Sequence, residues 1–313
     1  MIASRLRCPR AMRAGSALVL CLAFLPMTAQ GQAWLPPKGT FSYSLDYTDI
    51  LNKKHYTNEV CRPECPDEVD VGHTDNQILT LSASYSPTDR ISVNASLPYV
   101  RTRHRDDDPL VPDSHDDPID DGSWHSTLTD LQFTVNYQLV TGAFGLAPYV
   151  GAVIPVKSYV TAGHSAPGRG LNELWVGTYA AMSLNEWIPR TYVQLRGNYA
   201  FVEEVIDIAH DRINATLEIG YFPTPSWNVR LMYSQQWTDG GINLPVPVED
   251  PRFPHHDRLA AEEFKAAGGG ATWIINERLS AYAFYMQAFE GTNAHKVDHR
   301  VTTGVSYGLG GHH

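Results

Sequence analysis

Apolar and polar residues alternate along most of this chain in short runs separated by turns and polar loops. Leu131, Phe133, Val135, Tyr137 and Leu139 share one parity, and Gln132, Thr134, Asn136 and Gln138 the other. Ile213, Ala215, Leu217, Ile219 and Tyr221 repeat the pattern, with Asn214, Thr216, Glu218 and Gly220 between them. Successive side chains of a strand point to opposite faces, so each run has one greasy and one wet face. A lipid-facing exterior around a polar interior gives this alternation its simplest explanation, a transmembrane β-barrel.

The pattern predicts twelve strands, near 39–50, 74–86, 90–101, 127–140, 146–158, 170–184, 190–203, 211–222, 227–239, 262–275, 279–290 and 299–309. Short turns fall at 87–89, 142–145, 185–189, 223–225 and 276–278. Longer polar loops fall at 51–73, 102–126, 159–169, 240–261 and 291–298, with a brief one at 204–210. This alternation of connection lengths fits an even-stranded barrel with short periplasmic turns and long extracellular loops. Backbone groups in hydrocarbon must pair with one another, which forces closure. No segment after residue 33 has the run of about 18 apolar residues that marks a membrane helix. The predicted fold is therefore all-β, an antiparallel transmembrane barrel of about twelve strands. A soluble all-β core is the competing reading of the same strands. Pro98, Pro148 and Pro155 remove ladder donors and are expected at strand ends or bulges. Tyr85, Tyr99, Trp187, Tyr221 and Trp227 lie beside turns or strand ends, where aromatic girdles meet the headgroups.

Residues 1–33 read as an export signal. Arg5, Arg7, Arg10 and Arg13 precede an uncharged apolar stretch, and Gly31-Gln32-Ala33 offers a small-residue cleavage site. Cleavage after Ala33 leaves residues 34–313 as the barrel. Losing four arginines and no acid moves the formal net charge from −10 to −14. So acidic a chain is a poor nucleic-acid binder. Cys61 and Cys65 sit close together in a polar loop of an exported chain, which reads as a local disulfide. A metal site there lacks ligands, since structural zinc takes about four.

The wet parity carries charge. Arg196, Glu218 and Arg230 fall on it in adjacent strands, and folding those strands on one another sets the three nearly opposite. They are predicted to form a charge ladder in the lumen. Either the ladder only neutralises charge, or its two arginines form a constriction that favours anions. Glu173, Glu203, Glu204, Glu262 and Glu263 add negative charge toward the loop side. A further loop crowds Asp106, Asp107, Asp108, Asp113, Asp116, Asp117, Asp120 and Asp121 together. It is either a solvated, self-repelling loop or a divalent-cation site that bridges lipopolysaccharide phosphates. Histidines gather in loops at His104, His115 and His125, at His255 and His256, and at His295 and His299. No cofactor is implied by any motif.

Three stretches resemble a known family. Tyr85-Ser86-Pro87-Thr88-Asp89-Arg90-Ile91 leads to Leu97-Pro98-Tyr99-Val100. Thr129-Asp130-Leu131-Gln132-Phe133 leads to Tyr137. Gly151-Ala152-Val153-Ile154-Pro155 precedes Gly168-Arg169-Gly170-Leu171-Asn172-Glu173-Leu174-Trp175-Val176-Gly177. Together they resemble the outer-membrane family named for the meta pathway of phenol degradation. The chain departs from it at Thr129, where the family has glycine, at Val156-Lys157 after Pro155, and at its end, which is not aromatic.

The resemblance implies a channel or transporter in the outer membrane of a Gram-negative bacterium, passing small aromatic or apolar molecules passively. The expected surroundings are outer-membrane lipid and lipopolysaccharide. A structural or adhesive barrel with a plugged lumen is the alternative. An outer-membrane lipid hydrolase is a third reading, but no His-x-Ser and no G-x-S-x-G occurs, and His125-Ser126 and His164-Ser165 are sequence neighbours whose side chains diverge on a strand. The expectation is that the chain is not an enzyme.

Overall fold

The computed structural model describes residues 33–58, 66–105, 119–244, 246, 250–252 and 255–310. The strands are β1 (Phe41–Tyr56), β2 (Glu68–Thr88), β3 (Ile91–Arg105), β4 (His125–Leu128), β5 (Asp130–Tyr137), β6 (Phe144–Pro155), β7 (Glu173–Ser183), β8 (Thr191–Val202), β9 (His210–Thr224), β10 (Trp227–Gly240), β11 (Glu263–Ile274), β12 (Leu279–Thr292) and β13 (His295–Leu309). One four-residue helix, α1 (His256–Leu259), lies between β10 and β11. β4 and β5 are halves of one wall strand broken at Thr129, and both pair with β3. All neighbours are antiparallel. β1 pairs with β13 from Phe41↔Leu309 to His55↔His295, and with β2 on its other edge. The sheet is thus a closed twelve-stranded barrel, and each of the twelve predicted segments lies in its wall.

The strands overrun their predicted ends on the side of the long connections. β1 continues to Tyr56, β2 begins at Glu68, and the loop expected at 291–298 is a turn of Asn293 and Ala294 between two strands. Asn293 has φ 51°, a left-handed conformation that asparagine tolerates in a tight hairpin. Above the lipid both faces of a strand meet polar surroundings. The hydrophobic alternation fades there while the hydrogen-bond ladder continues.

Proline placement follows the missing donor. Pro98 lies inside β3, beside the break between β4 and β5, and its carbonyl accepts from Thr129 N at 3.1 Å. Pro155 ends β6. Pro148 lies within β6 rather than at its end, at the level where β5 stops at Tyr137. A donor is therefore lost where the neighbouring ladder is already interrupted.

Polarity is inverted relative to a soluble core. Leu81, Leu195 and Leu231 project outward, Leu231 with 66% of its surface exposed, whereas Gln194, Asn198, Glu218 and Asn228 are buried within. Among the described residues no helix is long and apolar enough to cross a membrane, and the strands supply the crossing. Tyr85, Trp187, Tyr221 and Trp227 are exposed at the short-turn end. Trp227 stacks on Trp273, and Tyr307 near the chain end packs on Tyr43 across the closing seam. These rings form the belt expected at a headgroup layer.

Candidate functional site

Even-numbered residues of β8, β9 and β10 face the lumen, and Glu218 and Arg230 meet there. Glu218 stands opposite Met232 and Arg230 opposite Gly220, so the pair is diagonal. Arg230 Nη1 lies 3.5 Å from Glu218 Oε2. Tyr192 donates its hydroxyl to Glu218 Oε1 at 2.6 Å. Arg230 Nη2 donates to Thr272 at 2.8 Å, and the guanidinium lies 4.3 Å from the centre of the Phe284 ring. The carboxylate thus has two donors and the cation has a hydroxyl and a ring face, which offsets part of their desolvation. Gly220 leaves room for Tyr192, because a Cβ there would collide with the Tyr192 ring.

Arg196 stands apart from this pair. It lies opposite Thr216, whereas Glu218 lies opposite Gln194. Folding about residue 206 gives this β8–β9 register, and it is the β9–β10 register, bulged between Trp227 and Val229, that is displaced by two residues from a fold about Thr224. The predicted ladder of Arg196, Glu218 and Arg230 is therefore a pair plus a separate arginine. Arg196 Nε donates to Tyr149 Oη at 3.3 Å, and its guanidinium lies over the Tyr149 and Tyr179 rings at 5.7 and 5.5 Å. Its partners are aromatic rather than acidic.

Among the described residues the lumen holds a cavity of about 400 Å3 toward the short turns and another of about 440 Å3 toward the long loops. Gln132, Trp175 and Arg196 line both, and so form the waist between them. Glu173 pairs with Arg212 at the wall of the upper cavity and accepts Trp175 Nε1 at 2.8 Å, which holds the indole at the waist.

The lower cavity is closed below by the chain itself. Residues before β1 turn into the lumen, and Trp34, Leu35 and Pro36 line this cavity. Gln138 and Gln194 hold the segment. Leu35 N donates to Gln138 Oε1 at 2.6 Å, Gln138 Nε2 donates to Ala33 O at 2.7 Å, and Ala33 N donates to Gln194 Oε1 at 3.1 Å. Trp34 Nε1 donates to Gly142 O at 2.9 Å. Ala33 is buried against Ala147, Tyr149, Tyr179 and Ala181.

The upper cavity is roofed by the β6–β7 connection through Pro167, Gly168 and Arg169. Arg169 pairs with Glu262, and Arg258 Nη2 donates to Gly170 O at 3.3 Å, so the connection before β11 braces this roof. Asn293 ties in a third connection by accepting from Leu244 N at 2.9 Å. Asp120 binds the roof from the β3–β4 side. It accepts from His164 N at 2.7 Å, Ser165 N at 2.9 Å and Ser165 Oγ at 2.5 Å. Burial pushes the Asp120 carboxyl up, but these hydrogen bonds outweigh it and hold the group well below the usual carboxylate range.

The other predicted acids disperse. Glu203 accepts from the backbone and side chain of Asn172, which lower its carboxyl. Glu204 is exposed, and Glu263 is exposed at the start of β11. Asp121 is held down to about 2 by Ser123 and His125. His125 Nε2 lies 2.9 Å from Asp121 and 3.2 Å from Ser123. A serine triad needs different ring nitrogens for the hydroxyl and the acid, so this cluster lacks that arrangement. Ser126 takes a hydrogen bond from Tyr99, and Ser165 donates to Ile119 O and Asp120. Cys61, Cys65, Asp106, Asp107, Asp108, Asp116 and Asp117 lie outside the described residues.

A closed antiparallel barrel with an apolar outer belt, aromatic girdles, short turns at one end and long loops at the other is an outer-membrane β-barrel, and its place is the outer membrane of a Gram-negative bacterium. No family description and no curated protein matches the chain. Among solved structures it is similar to the COG4313 outer membrane channel from Pseudomonas putida F1, at 15% identity and a TM-score of 0.68 over 90% of this chain and 99% of that one. It is more weakly similar to the NanC porin, at 8% identity and a TM-score of 0.48 over 85% of this chain and 100% of that one. The first likeness is one of fold.

Proposed function

We propose that this barrel is a passive channel for small organic molecules, with the waist at Gln132, Trp175 and Arg196 as its selective point. The observation that carries this reading is the pair of lumen cavities that share these residues. A barrel filled by its own side chains has no such space. A solute entering beneath the roof meets the upper cavity, passes the waist and reaches the lower cavity above Trp34. Trp175, Tyr149 and Tyr179 offer ring faces, and Arg196 offers a cation with no carboxylate partner among the described residues. Small aromatic solutes, above all those with a negative group, fit this lining. The motif resemblance to the family named for the meta pathway of phenol degradation supports the same solute class. Glu218 and Arg230 neutralise each other in this reading and shape the wall. Signal cleavage after Ala33 makes Trp34 the first residue and puts the new ammonium group within the lumen.

Swelling of liposomes carrying the purified chain, in benzoate against a sugar of similar size, tests the reading. Faster entry of benzoate supports it, and equal or slower entry overturns the preference. A second reading, a structural barrel with a closed lumen, is favoured by one observation, the hydrogen-bonded segment from Trp34 to Pro36 inside the periplasmic end. It predicts no conductance even when that segment is loosened.

A further inference from the structure

Arginine emerges on the outer face of the wall at the long-loop end of β3. Arg101, Arg103 and Arg105 take the outward parity there, while Val100, Thr102 and His104 between them are buried. Below them the same face is apolar. Tyr47, Leu79, Tyr99 and Leu128 stand side by side on β1, β2, β3 and β4, and all four are exposed. The next outward row consists of Asp49, Gln77, Arg101 and Ser126. The arginines thus begin one row above the last apolar row, at the level of the outer leaflet's headgroups.

Trp124, just before β4, packs against these cations. The Arg101 and Arg103 guanidiniums lie 4.3 and 4.4 Å from its ring centre. Asp75 accepts from Arg103 Nη2 at 2.8 Å and from Arg105 Nη2 at 3.0 Å, and it is the carboxylate that hydrogen-bonds to the three arginines among the described residues. Arg101 Nη1 donates to the uncharged Gln77 Oε1 at 3.4 Å. Asp49 lies one strand further off, and Asp121 is engaged by Ser123 and His125. Lys265, an outward cation on β11, has a carboxylate of its own, Glu290 at 2.6 Å. The indole and Asp75 hold the arginine side chains in place, and a planar guanidinium meets two phosphate oxygens at once. A lipid-facing arginine costs least near the interface, where an anionic headgroup can neutralise it.

We propose that Arg101, Arg103 and Arg105, braced by Trp124, bind a phosphate of lipid A, the phosphorylated glycolipid that anchors lipopolysaccharide in the outer leaflet. Its acyl chains run down over Leu79, Tyr99 and Leu128, and its phosphate meets the arginines one row above. The long loops face the exterior, so the leaflet at this height is the lipopolysaccharide one, which selects this source of phosphate over a phospholipid. The site lies outside the wall and is independent of what passes through the lumen.

Native mass spectrometry of the purified full chain in detergent, titrated with bisphosphorylated lipid A, tests the site. The wild type should retain lipid A, the double variant Arg101→Gln and Arg103→Gln should bind it at least about tenfold more weakly, and Lys265→Gln should bind it as the wild type does. Dephosphorylated lipid A, phosphatidylglycerol and inorganic phosphate are the comparison arms. Retention of either other lipid as strong as that of lipid A overturns the site, and so does displacement of lipid A by equimolar inorganic phosphate. Equal affinity in the wild type and the double variant overturns it as well. Heat-modifiable gel mobility checks that each chain is folded. If the double variant is not, the wild type's preference between phosphorylated and dephosphorylated lipid A decides the question alone.

Discussion

Trp34 meets Tyr192 edge to face, with ring centroids 6.4 Å apart, and Tyr192 passes its hydroxyl to Glu218. The segment that closes the periplasmic end of the lumen is thereby connected to the ion pair in its wall.

Trp34→Ala should loosen the closure. It removes the indole, its hydrogen bond to Gly142 and the contact with Tyr192, while the wall strands keep their ladders. Single-channel recording should show larger or more frequent openings than in the wild type. Gln138→Ala, which frees Leu35, should act in the same direction. Conductance equal to wild type in both variants would mean that the segment does not limit flow.

Glu218→Ala leaves Arg230 charged, with Thr272 and the Phe284 ring but no carboxylate beside it. Removing one member of a buried pair costs about 3–5 kcal/mol, since the remaining charge is uncompensated. Urea unfolding in detergent should show that loss in direction and rough size. The same variant should move the reversal potential in a salt gradient toward anions. Unchanged ion preference would leave the pair with a structural role alone.

Arg196→Gln removes the cation at the waist without breaking an ion pair. Folding should be little affected, and anion preference should fall. Arg196→Lys should restore the preference only in part, because an ammonium lacks the planar face that lies over Tyr149 and Tyr179. Reversal potentials of the three proteins separate these outcomes.

Asp120→Asn tests the join between the β3–β4 and β6–β7 connections. The Asp120 carboxyl is depressed in the folded chain, so its stabilisation is present above the unfolded value of about 3.9 and is lost only as pH falls through the lower folded value. Amide exchange at His164 and Ser165 should therefore remain protected down to about pH 4.5 in the wild type and be weak at neutral pH in the variant. Loss of wild-type protection near pH 6 would assign the join to another group.

Much of the wall is legible in the alternation, because every crossing strand must show lipid one face and the lumen the other. The runs at 131–139 and 213–221 announce β5 and β9 within a few residues. Legibility ends where lipid ends: His295-Lys296-Val297-Asp298 is mostly polar and reads as a loop, yet His295, Lys296 and Val297 carry a ladder to β1. The lumen is read less well, since parity gives the side of a residue and not its height. Glu218 and Arg230 meet because their offset is only two residues across a tight turn. Arg196 stands at the same two-residue offset from Glu218, but its guanidinium lies against Tyr149 and Tyr179 while Tyr192 takes the carboxylate. The inward course of Trp34 to Pro36 has no periodic signal, for it rests on single hydrogen bonds to Gln138 and Gly142. Nor does a sequence scan bring together His55, His164 and His295, which the closing seam and the roof unite across the mouth.

Conductance of the purified full-length chain in a planar bilayer tests the central claim most directly. A continuous path through the waist predicts discrete, anion-preferring current steps in the wild type that lose their preference in Arg196→Gln. Absence of current in the wild type and in Trp34→Ala alike, with both folded by gel mobility, would contradict it.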